Sequence, residues 1–190
     1  MNEIKLKINE IFYSIQGEGA NAGMPAIFIR FAGCNLKCPF CDTNHEDHKE
    51  YSIEEIIKKI KDFDCKNIIW TGGEPTLQLT NEILVYFKGY YHCIETNGTN
   101  PVPNSINYIA CSPKVPIETL NRNFKEANEF RYPVKAGDKL PDILKIPRAQ
   151  HYYISPIDVT EQNVDYCIKL IKENPQWKLS VQVHKILKIR

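Results

Sequence analysis

The chain has 190 residues, 43% hydrophobic and 25% charged, a composition that suits one soluble globular domain with a sizeable core. Lys and Arg total 24 against 23 Asp and Glu, a formal net charge of +1 without a block of like charge, which excludes the basic footprint of a nucleic-acid binder. The opening "MNEIKLKINE" has no apolar h-region and no window nears the roughly 20 apolar residues of a membrane span, so a cytoplasmic protein with no membrane partner is expected.

Short runs rich in β-branched and aromatic residues, closed by Gly, Pro, Asn or Ser, predict strands. In chain order the first are "KINEIFYS" (7–14) and "AIFIRFAG" (26–33). The helix "SIEEIIKKIKDF" (52–63) follows, with Ile53, Ile56, Ile57, Ile60 and Phe63 on one face and a capping box from Ser52 and Glu55. Strand "NIIWT" (67–71) leads through a weaker helical pattern, "LTNEILVYFK" (79–88), to strands "YYHCIET" (90–96), "INYIACS" (106–112) and "EFRYPVK" (129–135). A second weak helical pattern, "DKLPDILK" (138–145), is interrupted by Pro141. Strand "HYYIS" (151–155) precedes the helix "TEQNVDYCIKLIKEN" (160–174), with Thr160 as N-cap and Val164, Cys167, Ile168 and Ile171 facing inward. A final strand, "KLSVQVHK" (178–185), completes the set.

Strands alternating with helices imply βαβ units and a parallel sheet whose strand ends share one rim. A full eight-unit barrel takes about 250 residues, so the expectation is an α/β fold built as an open, partial (β/α)6 barrel with an N-terminal strand extension, a single domain over 1–190. Five Gly- or Pro-bearing polar segments follow five apolar strands: the cysteine loop after "AIFIRFAG", "GGEP" after "NIIW", "TNG" after "CIE", "SPK" after "YIAC" and "SPID" after "HYYI". Ligands bind at that rim in parallel α/β folds, so the five segments are expected to converge on one site.

Three of the seven cysteines, Cys34, Cys38 and Cys41, crowd into "CNLKCPFCDT" at C-x3-C-x2-C spacing. Without a secretion signal that crowding reads as metal or redox chemistry rather than a disulfide framework. Two readings stay open: a Cys3His zinc site completed by His45 or His48, or an iron–sulfur cluster with one iron left open for a ligand. Cys65, Cys93, Cys111 and Cys167 stand among apolar neighbours and read as buried small hydrophobes.

The cysteine loop after the first barrel strand, with "GGEP" after the second, resembles the radical S-adenosylmethionine superfamily. More closely, "FYSIQGEGANAGMPAIFIRFAGCNLKCPFCDT", "TGGEP", "IETNG", "SPK" and "PQWKLSVQVHKIL" resemble the 7-carboxy-7-deazaguanine synthases, lyases of queuosine-type 7-deazapurine biosynthesis. The resemblance implies a radical ring contraction of 6-carboxy-5,6,7,8-tetrahydropterin to 7-carboxy-7-deazaguanine with loss of ammonia. It implies a [4Fe–4S] cluster on Cys34, Cys38 and Cys41 and S-adenosylmethionine chelated at the open iron. It places that cofactor against Gly73, Glu74, Asn97, Ser112, Pro113 and Lys114, and against Ser155, Pro156, Ile157 and Asp158. Ser155 departs from relatives with Gln there.

The pterin is implied to meet Ile15, Gln16, Gly17, Glu18, Arg30, Thr71 and His184, with Mg2+ on Thr43 and the terminal carboxylate of Arg190 as a further acceptor. Independently of any relative, Arg30 on an apolar strand run needs a partner, either a substrate carboxylate or an inner Glu, and the Thr43 hydroxyl is a hard donor suited to Mg2+. Asn97 serves either the cofactor or its own turn. Ile186, Leu187 and Ile189 are expected to dock the tail. A flavodoxin or ferredoxin as electron donor and a homodimer complete the implied partners. The alternatives are a glycyl-radical activase of the same superfamily and a zinc-stabilised binding module; a thioredoxin-like protein is disfavoured because Cys38 and Cys41 open no strong helix.

Overall fold

The computed structural model describes residues 4–41 and 47–189. Among the described residues nine strands form one sheet. In chain order they are β1 (Lys5–Ile15), β2 (Pro25–Phe31), β3 (Lys49–Ser52), β4 (Asn67–Gly72), β5 (Tyr91–Thr96), β6 (Tyr108–Cys111), β7 (Glu126–Val134), β8 (Arg148–Pro156) and β9 (Lys178–Leu179). Their spatial order is β3-β1-β2-β4-β5-β6-β7-β8-β9, with β1 antiparallel to both β2 and β3 and every pair from β2 through β9 parallel. Strands β2 and β4 to β8 supply the six expected parallel strands, β1 and β3 the N-terminal extension. The edges β3 and β9 do not pair with each other, so the sheet is open.

Alternation along the strands divides the residues between two faces. Ile27, Ile29 and Phe31 of β2, Ile68 and Trp70 of β4 and Ile94 of β5 pack against α1 (Ile53–Ile60) and α2 (Asn81–Leu84) in one cluster. Phe130 of β7, Ile154 of β8, Leu120 of α3 (Ile117–Asn123) and Cys167 of α4 (Glu161–Glu173) form a second. The opposite face carries Phe12, Phe28, Ile69, Cys93 and Tyr108 as its apolar floor. Nearer the strand ends that face changes to Arg30, Thr71, Glu95 and Arg131, and this change of parity-matched residues from apolar to polar makes the site.

The capping box forms as expected, Ser52 N donating to Glu55 Oε2 at 2.8 Å and Glu55 N to Ser52 Oγ at 3.2 Å. Several expectations need correction. The segment 138–145 is not a helix: Pro141 supplies no N–H, and the Asp142 carboxylate instead accepts from Leu144 N at 3.0 Å in a turn. Short helix α3 and short strand β3 carry too little periodicity to stand out in the sequence. Thr160 sits at the N-cap of α4 but its side chain makes no capping bond, since its hydroxyl donates to Asp158 Oδ1 at 2.6 Å. Ile168 of α4 is exposed, Asn163 and Cys167 are buried, Ile171 packs against the second cluster, and Val164 is half-buried. The last expected strand stops at Leu179: Val183 N turns away to Gly17 O at 2.9 Å and α5 (Val183–Leu187) follows. Ile186, Leu187 and Ile189 are exposed rather than docked. No helix among the described residues is long and apolar enough to cross a membrane.

Candidate active site

The loops leaving the parallel strand ends are tied to one another by their backbones. Gly73 N donates to Phe31 O at 3.0 Å, Glu74 N to Gly33 O at 3.0 Å, Ser112 N to Thr96 O at 2.8 Å and Lys114 N to Asn97 O at 3.0 Å. A Cβ on Gly73 would collide with the Gly33 carbonyl, so the "GGEP" loop and the cysteine loop approach this closely only with glycine there. The fully buried Glu74 carboxylate accepts from Thr76 N and Thr76 Oγ1 of its own segment and from Thr96 Oγ1 and Asn97 N of the "TNG" segment at 3.1, 2.6, 2.8 and 2.7 Å. It clasps two rim loops together.

A cleft in two compartments opens above this framework. The first, about 220 Å3, has Cys34, Cys38 and Cys41 on its wall together with Gly73, Asn97, Ser112 and Lys114, and with Ser155, Pro156 and Ile157 of the β8 end. The second, about 400 Å3, is lined by Ile15, Gln16, Gly17, Arg30 and His184. Glu18, Thr71, Glu95 and Gln182 line both, so the two spaces share a wall. The His184 ring occupies the space a Cβ on Gly17 would take, which is how the short α5 closes over the second compartment.

Most expected positions thus come together. Glu74, Pro113 and Asp158 line neither compartment. Glu74 lies under the rim, and Asp158 turns to the start of α4, where it accepts from Thr160 N at 3.0 Å and from Asn163 Nδ2 at 2.8 Å. Thr43 and Arg190 fall outside the described residues, as does His45. Asn97 does shape its own turn, its Oδ1 accepting from Thr99 N at 3.0 Å, and its Nδ2 also reaches Asn35 Oδ1 in the cysteine loop at 3.0 Å. Arg30 is paired as well as cleft-facing: its Nε donates to Glu10 Oε1 at 2.8 Å, its cross-strand partner, and its guanidinium lies 5.7 Å from the Phe12 ring centroid.

Bonded to the carboxylates of the shared wall is a residue the motifs did not indicate. Arg131 of β7, 3% exposed, places Nη1 2.8 Å from Glu18 Oε2, Nη2 2.8 Å from Glu95 Oε1 and Nε 2.9 Å from Glu129 Oε1. Glu95 also accepts from Gln16 Nε2 at 3.1 Å and Thr71 Oγ1 at 2.7 Å, and Glu18 from Gln182 Nε2 at 2.9 Å. Burial alone would raise the Glu95 carboxyl, but the Arg131 charge and hydrogen bonds from Arg131, Thr71 and Gln16 outweigh it and bring the pKa down to about 2. Burial would likewise lower Arg131, and the charges of Glu95, Glu18 and Glu129 reverse that and raise it.

The Radical SAM superfamily profile matches residues 28–172. The 7-carboxy-7-deazaguanine synthase of Bacteroides thetaiotaomicron is 40% identical over 186 residues, covering 97% of this chain and 98% of that protein. That of Haemophilus influenzae is 40% identical over 203 residues, covering 98% and 95%. The chain belongs to the 7-carboxy-7-deazaguanine synthase family of the Radical SAM superfamily. The crystal structure of QueE from Escherichia coli superposes with a TM-score of 0.72 at 27% identity, covering 95% of each chain.

Membership of this enzyme superfamily implies a [4Fe–4S] cluster and S-adenosylmethionine, and the first compartment fits both. Burial raises the Cys38 thiol above its ordinary pKa, Lys114 opposes the rise, and Cys41 and Cys34 add to it. Among the described residues no three His, Cys, Asp or Glu side chains gather round one point as a single-ion site requires. Three cysteine thiols on the wall of one cavity are a donor set that suits an iron–sulfur cluster.

Proposed function

We propose that the chain is a 7-carboxy-7-deazaguanine synthase that contracts 6-carboxy-5,6,7,8-tetrahydropterin to 7-carboxy-7-deazaguanine with release of ammonia, acting as a single domain. The observation that carries this reading is the shared wall, which presents two carboxylates and joins a three-cysteine compartment to one holding the Arg30 guanidinium. A ligand with an anionic end and an edge rich in N–H donors, as the pterin has, finds complementary groups there.

Cys34, Cys38 and Cys41 hold the cluster in this reading, and the cluster with S-adenosylmethionine supplies hydrogen-abstracting radical chemistry. Gly73, Asn97, Ser112, Lys114, Ser155, Pro156 and Ile157 line the cofactor's space, with Glu74 acting from below through the loop it clasps. Arg30 faces the substrate carboxylate: among the described residues only its Nε is hydrogen-bonded, which leaves the terminal fork for a bidentate contact. Glu18 and Glu95 accept from the aminopyrimidinone edge. Gln16 acts through its neighbours, since its amide is engaged by Glu95 and by Glu18 N, the latter at 3.1 Å. Ile15, Gly17, Thr71 and His184 complete the compartment's walls. Exclusion of bulk water by these walls strengthens each of the polar contacts.

The finer attributes follow from the same reading: Mg2+ on Thr43, a flavodoxin or ferredoxin as reductant, a homodimer and a cytoplasmic location. Thr43→Ala is expected to lower turnover at least about tenfold and abolish stimulation by Mg2+ while iron content stays at the parental level, because one hard oxygen ligand is lost from a metal with few protein ligands. Metal titration of turnover measures this, and unchanged Mg2+ dependence removes the role. The function itself is tested by anaerobic reconstitution and incubation with the carboxypterin. Formation of the deazaguanine acid supports it, whereas a fully loaded chain that cleaves S-adenosylmethionine but leaves the pterin unchanged overturns it.

A further inference from the structure

Arg131 stands in neither the cysteine loop nor any Gly- or Pro-bearing rim segment, yet each of its three guanidinium nitrogens lies 2.8–2.9 Å from a different carboxylate, Nη1 and Nη2 in hydrogen bonds and Nε in a close ion pair without hydrogen-bond geometry. The three partners are not equivalent. Glu129 is 2% exposed, and its second oxygen accepts from Ala20 N at 2.8 Å and Tyr108 OH at 3.0 Å. Its acceptors are occupied by the protein. Glu18 and Glu95, with side chains 18% and 27% exposed, line the wall between the compartments.

We propose that Arg131 is a positioning residue for the reaction: its guanidinium holds Glu18 and Glu95 as a spaced pair of acceptors on the shared wall, and Glu129 anchors Arg131 beneath them. The identity of the ligand these acceptors meet rests on the pterin reading above. The rigid planar fork carries the geometry. Nη1 and Nη2 belong to one delocalised plane, so two carboxylates bonded to them have their separation set by covalent structure, which a lysine ammonium does not reproduce. Without the cation, two ionised carboxylates on a half-buried wall repel, and one of them moves or takes a proton. A protonated carboxyl would then present a donor to the donor-rich edge of the ligand.

The arrangement also makes a fold role and a positioning role separable. Removing Arg131 alone strands the buried Glu129, which is destabilising whatever Arg131 does for the site. Arg131→Met combined with Glu129→Gln removes both buried charges and retains an amide oxygen for Ala20 N or Tyr108 OH. We expect this double variant, loaded with cluster, to keep parental iron content and to stay folded, with a thermal midpoint below the parent because Glu18 and Glu95 lose their cation but above that of Arg131→Met alone. Its dissociation constant for the carboxypterin, measured anaerobically by calorimetry without S-adenosylmethionine, should rise about 10- to 100-fold, the range for lost charge-assisted contacts. Arg131→Lys should lie between the two.

Selective 13C labelling of Glu carboxyls gives a readout independent of any ligand. Around Glu95 stand the Arg131 charge, with Glu18 and Glu129 on its other nitrogens, the neutral donors Thr71 and Gln16, and Cys93 two residues back on the same strand. In the parent the Glu95 resonance should stay ionised as the pH is lowered through the ordinary carboxyl range, and in the double variant it should titrate within or above that range. A stable double variant with parental pterin affinity and an unshifted Glu95 overturns the proposal. If the parent itself fails to bind the pterin, the functional reading fails, and the Glu95 titration alone still decides whether Arg131 sets the wall.

Discussion

Changing Cys34, Cys38 or Cys41 singly to Ala is expected to remove the brown colour, the acid-labile sulfide and all pterin turnover, whereas the same change at Cys65, Cys93, Cys111 or Cys167 leaves iron and sulfide at parental levels. The two groups differ in physical state. Cys34, Cys38 and Cys41 sit on a solvent-reached cavity wall, and a cluster held by these three alone, as proposed, has no spare ligand to lose. The other four are buried. Burial, reinforced by Glu95 and Glu129, pushes the Cys93 thiol up to about 12, and burial with the nearby Asp138 pushes Cys167 up to about 11. Burial also raises Cys111, with Glu74 adding to the rise. Thiols held protonated at neutral pH are poor metal ligands, and truncating them costs packing, about 1 kcal/mol each. Iron and sulfide analysis of the seven variants, purified anaerobically, decides the matter. Parental cluster content in any one of the first three variants removes that cysteine from the ligand set.

The rim was legible in the sequence because its segments break the strand pattern abruptly. Cys34 to Cys41, "GGEP", "SPK" and "SPID" each interrupt an apolar run with residues that cannot continue it, and parallel topology alone then sends them to one end. Two residues that build the shared wall, Glu95 and Arg131, were less legible because they lie inside strands. Glu95 in "HCIET" and Arg131 in "EFRYPV" look like ordinary polar positions until register shows which face each one takes. Parity offered a usable signal: Arg131 alternates with Phe130 and Tyr132 as Arg30 alternates with Ile29 and Phe31, and a lone cation in such a run needs a partner. The end of the chain misled for another reason. Val181 and Val183 continue a period of two after Leu179, but a long-range hydrogen bond from Val183 N to Gly17 O captures the backbone before β9 can lengthen. Local pattern does not encode a bond to a segment so distant. The same limit explains why Glu74, beside two glycines in a rim motif, read as a cofactor contact although its side chain points under the loop.

Replacing Glu74 should therefore damage the framework first and cofactor binding as a consequence. Its Oε1 accepts from Thr76 N, Thr76 Oγ1 and Thr96 Oγ1, while Oε2 accepts from Asn97 N at 2.7 Å. Glu74→Ala leaves two backbone N–H groups without this acceptor below a loop that excludes water, and each unmet buried donor costs about 1–3 kcal/mol, so a loss of about 3–5 kcal/mol is expected. Glu74→Gln keeps the volume but has one acceptor oxygen. If that oxygen replaces Oε1, the amide nitrogen meets Asn97 N donor to donor; the opposite rotamer sets it against Thr76 N. An intermediate loss of about 1–3 kcal/mol follows. The damage reaches the cysteine loop through Asn97, whose Nδ2 donates to Asn35 Oδ1 at 3.0 Å next to Cys34. Both variants should accordingly lose cluster on gel filtration faster than the parent, in the order of their instability. Denaturant midpoints and iron per chain, measured on the same samples, test the chain of cause. A direct cofactor contact predicts the reverse pattern: weakened S-adenosylmethionine binding in Glu74→Gln with parental stability and iron content, an outcome that would return Glu74 to the cavity wall.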